Sequence, residues 1–145
     1  MSARENIALN IKNQLENMTD PAVGLVSKVF FDPSKIAITQ FPAILINTTN
    51  EERTDVSMTA REGIIQYELR CFVRGTEIDT LRNEIVERIE ETLEQSRDRD
   101  ITISTANIHN VKTQVSNITV TDRELPLGEV TVTVNVKYQY KKGVL

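Results

Sequence analysis

The chain has 145 residues, of which 39% are hydrophobic and 26% charged, so it is long enough for one domain with a buried core. Its net charge of −4 argues against general nucleic-acid binding, which normally needs a basic surface. The single cysteine excludes an internal disulfide. We find neither a signal-peptide pattern nor an apolar run that could span a bilayer, so we expect one cytosolic domain over residues 1–145.

The first predicted element is a helix over residues 2–18. Ser2 and Glu5 have the spacing of a capping box, and Asp20-Pro21 ends the helix because proline cannot continue it. One stripe of the helix is apolar: Ile7, Ile11, Leu15 and Met18. We interpret this as a packing helix rather than a membrane-surface helix, whose polar face is usually rich in Lys and Arg.

Two strands follow, over residues 24–31 and 40–47. The first is closed by the turn residues Asp32-Pro33-Ser34. In the second, the continuous apolar run over residues 43–46 predicts burial on both faces, and Pro42 must then lie at the start of the strand or on a sheet edge.

The chain then turns polar over residues 48–61. The stretch is compatible with a hairpin that extends the strands or with a mobile loop. A long polar loop inside a compact domain is uncommon unless it has a function, although a simple solvated loop remains the alternative.

A strand that runs straight into a long helix is the organising unit of the sequence. Over residues 64–74 the apolar side chains alternate with polar ones: Ile65, Tyr67, Leu69, Cys71 and Val73 share one face. After Gly75 the apolar period lengthens to three or four, which predicts a helix over residues 76–96 that is about 30 Å long. Its apolar stripe is Ile78, Leu81, Ile85, Ile89 and Leu93.

The outer face of this second helix is acidic. Residues 77–100 contain nine acidic residues and four arginines. A charge run of this kind is usually a solvated helix face. The alternative is an acidic surface that prevents binding of a molecule that passes it, such as DNA.

The last third of the chain predicts two more strands. Residues 98–100 read as a turn, residues 101–104 begin an extended segment, and residues 108–121 form a strand with apolar Val115, Ile118 and Val120. A connection over residues 124–128 leads into the most regular strand, whose buried face is Val130, Val132, Val134, Val136, Tyr138 and Tyr140. The order α-β-β-β-α-β-β predicts an α+β fold, a two-layer sandwich of a mostly antiparallel sheet with two helices packed on it.

The residues contain no recognisable catalytic, cofactor or metal site. His109 is the only histidine, and Cys71 falls on the apolar face of its strand, where a buried hydrophobe is expected rather than a nucleophile. Glu51-Glu52 and Asp98 with Asp100 could touch a divalent ion, but neither pair belongs to an EF-hand pattern. We therefore predict a protein that is not an enzyme and needs no cofactor, although catalytic groups can converge in space from distant positions.

The element order resembles that of the tail terminator proteins of long-tailed bacteriophages, the family that includes the lambda tail terminator. The strand over residues 64–75 that leads into a long helix is similar to the corresponding part of that family. The ending is similar too: Asn117-Ile118-Thr119-Val120-Thr121-Asp122 is followed by the regular strand of residues 129–138.

The resemblance implies a structural virion protein without active-site residues. Members of the family form a hexameric ring that caps the tail tube, ends its polymerisation and forms the tail side of the head–tail junction. The implied partners are further copies of the chain, the tail tube protein, a neck or head-completion protein and, as a further candidate, the sheath protein. DNA passes through such a ring without specific binding, no membrane is involved, and the protein is assembled in the host cytoplasm into the tail or neck of the virion.

Within the polar stretch, we predict an interface with a neighbouring subunit or with the tube, formed by Glu51, Glu52, Arg53, Asp55 and Arg61. Two other interpretations stay open from the sequence. One is a neck or head-completion connector, which also forms rings. The other is a small enzyme or ligand-binding domain that uses one face of the sheet.

Overall fold

A computed structural model describes residues 3–19, 21–94 and 108–141 of the chain. Its elements are a helix α1 (Ala3–Glu16), strands β1 (Leu25–Ser27), β2 (Ala43–Asp55) and β3 (Ala60–Arg74), a helix α2 (Ile78–Glu94), and strands β4 (Ile108–Thr121) and β5 (Leu127–Lys141). A short 3₁₀ turn, Ile38–Gln40, precedes β2. The predicted order and the predicted α+β class are confirmed.

The five strands form one sheet in the order β1-β2-β3-β5-β4. Within the described part of the chain, the β1–β2 pair is parallel and the pairs β2–β3, β3–β5 and β4–β5 are antiparallel. The sheet has two ends. At one end β2 and β3 meet in a turn, which we call the tip. At the other end, which we call the base, β3 leads into α2 and β4 turns into β5.

Both helices pack on the same face of the sheet, which we call the helix face, and the opposite face is the outer face. The alternating residues of β3 and β5 point into this helix-face core, where Ile65, Leu69, Val132 and Val134 are fully buried. The predicted helix stripes join them: Ile7, Ile11 and Leu15 from α1, Met18 just after its end, and Ile85, Ile89 and Leu93 from α2. Burial of each such side chain stabilises the fold by roughly 1.5–3 kcal/mol.

A smaller apolar cluster lies on the outer face at the base. It consists of Ala43, Leu45 and Phe72, and Leu25, Phe31, Ile36 and Phe41 pack against it. The run over residues 43–46 is therefore buried on both faces, as its continuous apolar character predicts. Pro42 lies immediately before the first residue of β2, where its missing N–H removes no hydrogen bond from the ladder.

The bounds of β1 and β2 differ from the sequence-based prediction. β1 is only three residues long, because the chain leaves the sheet edge after Ser27 to run towards the outer face, with Val29 and Phe30 exposed. β2 continues to Asp55, so the polar stretch is a hairpin extension rather than a loop. The predicted turn at residues 98–100 and the extended segment at residues 101–104 lie outside the described residues.

Within the described ranges, no helix is long and apolar enough to cross a membrane.

Candidate assembly surface

The polar stretch over residues 48–61 lies in the tip half of the β2–β3 hairpin, and we call that half, residues 48–67, the arm. In the arm, β2 is an edge strand of the sheet, because β1 pairs only with residues 43–45 of β2. A bulge shifts the register between Thr48 and Asn50, and the Thr49 hydroxyl donates to the backbone oxygen of Gln66 at 3.2 Å. Beyond the bulge the two strands stay paired as far as Asp55 and Arg61.

The tip is a tight turn over residues 56–59. The backbone N–H groups of Val56 and Ser57 donate to the carbonyl oxygen of Ala60, at 3.1 and 3.2 Å. The Ser57 hydroxyl oxygen in turn accepts from the backbone N–H of Ala60 at 3.1 Å. These hydrogen bonds fix the turn while leaving its apolar side chains in solvent: Met58 is 94% exposed and Val56 52% exposed.

The five predicted interface residues divide between the two faces of the arm. Arg53 pairs with Gly63 and Asp55 with Arg61, and β5 places Tyr138 and Tyr140 beside them on the helix face. Glu51 is on this face as well, because side chains two apart along a strand share a face. Glu52 points to the outer face, where it is exposed. The structure thus brings four of the five residues together and separates Glu52 from them.

Glu51 is an internal residue of the arm. Its side chain is only 8% exposed. Its carboxylate accepts a hydrogen bond from the Tyr138 hydroxyl at 2.5 Å and one from Arg53 Nε at 3.3 Å. Burial, followed by the nearby Glu51 carboxylate, raises the pKa of Tyr138, so its hydroxyl stays protonated and donates. This contact ties β2 to β5 across the intervening strand β3.

Gly63 creates the space for that tyrosine. A Cβ atom at position 63 would lie 2.6 Å from the Tyr138 ring, which is closer than two carbon atoms can approach. The ring therefore lies across the glycine and stacks with Tyr140 at a centroid distance of 5.6 Å. The Arg53 guanidinium covers the Tyr140 ring at 5.5 Å.

Asp55 and Arg61 form the exposed end of the arm. Arg61 Nε donates to Asp55 Oδ1 at 2.8 Å, and the two side chains are 45% and 61% exposed. A solvent-exposed pair of this kind contributes at most about 1 kcal/mol to stability. Both charges are accessible to another molecule, beside the apolar tip.

A second charged cluster, on the outer face at the base, was not predicted from the sequence. Glu129 is 4% exposed and accepts hydrogen bonds from Arg70 Nε at 3.0 Å and Arg123 Nε at 2.7 Å. Both guanidinium groups also lie over the ring of Phe72, at 5.3 and 5.1 Å. Burial alone would raise the pKa of the Glu129 carboxyl, but the hydrogen bonds from the two arginines outweigh burial and lower it.

The base also contains an apolar cavity of about 420 Å³, which we call the base pocket. Its wall includes Phe41 and Pro42 before β2, Val73 at the end of β3, and Leu81 and Ile85 of α2. The exposed residues Arg74, Thr76 and Glu84 also line it. Such a volume lies within the range of small-molecule pockets, so this cavity is the feature of the fold that fits a ligand-binding function best.

The chemistry expected of an enzyme does not assemble among the described residues. They contain no group of three or more His, Cys, Asp or Glu side chains that could hold a metal ion. Cys71 is fully buried, and burial raises the pKa of its thiol, which makes it unreactive, as its position on the apolar face predicts. The side chain of His109 and the pair Asp98 and Asp100 lie outside the described residues.

The solvent-exposed side of α2 is an acidic surface. Glu84, Glu87 and Glu90 are exposed along it. Two of the helix's ion pairs are local: Arg88 Nη1 lies 3.2 Å from Glu91, and Arg82 Nη2 lies 3.7 Å from Asp79. The exposed acids agree with both interpretations of the charge run, a solvated face and a surface that repels DNA.

Comparison with known proteins gives a match in fold only. No protein-family model matches the chain, and no curated protein matches it. Among solved structures, the chain is similar to a protein in the virion of a native gene transfer agent particle. The TM-score is 0.59, the match covers 92% of this chain and 93% of the other, and the sequence identity is 8%. At that identity the likeness shows that the two chains share a fold.

Proposed function

We propose that this chain is a structural virion protein of a phage-like particle, and more specifically a tail terminator. In this role six copies form a ring that caps the tail tube, ends its polymerisation and forms the tail side of the head–tail junction. The observation that carries the proposal is the fold likeness to a protein of a gene transfer agent virion, because it extends over 92% of this chain and 93% of the other.

The arm supports an assembly role. It is a rigid extension, fixed by the buried contact of Glu51 with Tyr138, that ends in exposed charges and an apolar turn. In the proposed ring, Arg53, Asp55 and Arg61 contact a neighbouring subunit or the tube, Glu52 offers a charge on the outer face, and Glu51 holds the arm in shape. The further partners are the tail tube protein, a neck protein and, as a further candidate, the sheath protein.

The acidic face of α2 fits a ring through which DNA passes without specific binding, because like charges repel the phosphate backbone. No membrane and no cofactor enter this function, and assembly takes place in the host cytoplasm.

Two alternatives make different predictions. A neck or head-completion connector is also a ring, and would bind the head side rather than tail tubes. A ligand-binding domain is favoured by the base pocket, whose volume of about 420 Å³ would hold a small apolar molecule. That function requires no ring.

The arm's role is tested by replacing Arg53, Asp55 and Arg61 together with alanine. We expect the variant to fold, because Asp55 and Arg61 form an exposed ion pair that adds little stability, and Glu51 keeps its hydrogen bond from Tyr138 when Arg53 is removed. We expect it to lose the ring, which size-exclusion chromatography with light scattering would show as a shift towards the monomer. Circular dichroism and a cooperative thermal transition would confirm the fold.

The matched control is Arg88→Ala with Glu91→Ala. It removes a different surface ion pair, on α2, in which Arg88 Nη1 lies 3.2 Å from Glu91. This control should keep the ring. An unchanged ring in the triple variant would reject the interface at the arm.

A further inference from the structure

We propose that the tip of one copy inserts into the base pocket of the next copy, so that subunits join head to tail. This inference rests on the proposed ring and names the two surfaces that would form it. The inserted side chains are Met58 and Val56, and the receiving walls are those of the base pocket.

The tip has the chemistry of an inserted group. Met58 is 94% exposed, although a methionine is among the residues most often buried in folded proteins. Its unbranched thioether side chain adapts to irregular apolar cavities. The turn that carries it is held by two hydrogen bonds to Ala60, so little backbone freedom is lost when the side chain docks.

The base pocket has the chemistry of a receptor for such a group. Phe41, Pro42, Val73, Leu81 and Ile85 make its walls apolar, and at about 420 Å³ it has room for a methionine and a valine side chain together. Ile38, another lining residue, is 67% exposed at present, so an inserted tip would also remove this side chain from water.

The charges beside the two surfaces are complementary. Asp55 and Arg61 stand next to the tip, and the pocket is bordered by Arg74 and Glu84, all four being exposed. Each member of the tip pair therefore has an oppositely charged residue available on the next copy: Asp55 with Arg74, and Arg61 with Glu84. This pattern favours a second copy of the chain over an uncharged small molecule as the occupant.

The geometry makes the contact intermolecular. The tip precedes Ala60 and the pocket includes Arg74, which are the two ends of the 15-residue strand β3. At ~3.3 Å per residue these ends are about 46 Å apart. One molecule cannot bring them together, so the contact is between different patches on two copies, which yields rings when the rotation closes. Six such lengths enclose a ring about 90 Å in mean diameter, with an open centre.

Disulfide cross-linking of the double variant Met58→Cys with Ile38→Cys tests this arrangement. A disulfide forms only when the two Cα atoms are within about 7 Å, so a seated tip should give covalent chains of up to six copies under oxidation. Each single variant should give no species beyond a dimer. The native Cys71 is fully buried and does not take part.

The second measurement compares Met58→Asp with Met58→Leu by light scattering. Met58→Asp should weaken association by ~30-fold or more, the effect of losing one interface hot spot, whereas Met58→Leu should keep the ring. The tip-to-pocket contact is overturned if the ring survives Met58→Asp and the double cysteine variant gives only dimers. In that case the proposed ring itself would still stand. A monomer at every concentration would overturn both.

Discussion

At the scale of single residues, Glu129 is the clearest case of a charge that the fold makes necessary. It pairs with Phe72 on β3, so it stands on the outer face directly beside the aromatic ring that Arg70 and Arg123 cover. A buried carboxylate is stable only when it is paired and hydrogen-bonded. The two arginines meet that requirement, and Arg123 thereby fixes the turn between β4 and β5 against the sheet.

We expect Glu129→Gln to lower the free energy of unfolding by about 2 kcal/mol at pH 7, because hydrogen bonds to charged groups contribute roughly 1.5–3 kcal/mol. The pKa of Glu129 is lower in the folded chain than the usual value near 4.3. Its contribution is therefore complete above the usual value and is lost as the pH falls towards the folded-state pKa. Urea unfolding of parent and variant at pH 7, 5 and 3.5 measures this difference.

The difference between the two proteins should shrink at the lowest pH. A difference that stays constant down to pH 3.5 would contradict the ion-pair account. Glu52→Gln is the control: its carboxylate is exposed on the arm, so the change should remain within about 0.5 kcal/mol.

Sequence reasoning places some residues correctly and misses others for a physical reason. The burial of Cys71 follows from alternation within one strand, which is local information. The Glu129 cluster joins three residues that only strand pairing and a turn bring together, since Arg70 lies 59 positions from Glu129. Tyr138 was predicted on the buried face, but its partner Glu51 is 87 positions away.

At the scale of elements, β5 shows how strictly the two faces of the sheet differ. Val132 is fully buried between Leu69 and Ile118, its neighbours on β3 and β4. The next residue, Thr133, points to the outer face and is partly exposed. Two adjacent residues of nearly the same shape thus occupy opposite environments.

We expect the two exchanges, Val132→Thr and Thr133→Val, to have very different effects on the free energy of unfolding. Val132→Thr should cost about 2 kcal/mol, because it buries a hydroxyl among apolar side chains. Thr133→Val should change the free energy of unfolding by no more than about 0.5 kcal/mol. Chemical denaturation of the two variants gives both values. Equal effects would mean that the register of β5 differs from the one described.

Element boundaries were predictable where one face is buried. Alternation in β3 and β5 and the stripe of α2 located these elements to within a few residues, since burial imposes their periods. The polar stretch over residues 48–61 could be predicted only as a hairpin or a loop, because it has no continuous apolar face and its pairing is set by neighbouring strands. β1 was predicted too long, because Val29 and Phe30 look like strand residues but stay exposed after the chain leaves the edge.

At the scale of the whole molecule, the sheet is elongated and its two ends, the tip and the base, differ in chemistry. The tip presents Met58 and an ion pair, and the base presents an apolar pocket with charged residues at its border. The interface residues at the arm could be proposed from a polar stretch and a family resemblance. The pocket could not, since it is assembled from five separate parts of the chain.

The most direct test of this account is the mass of the purified protein in solution, measured by light scattering or native mass spectrometry over a range of concentrations. A closed ring predicts a species near six times the chain mass of 16.4 kDa, with an open centre in electron micrographs. A protein that remains at 16.4 kDa at every concentration would contradict the ring and, with it, the proposed role in the virion.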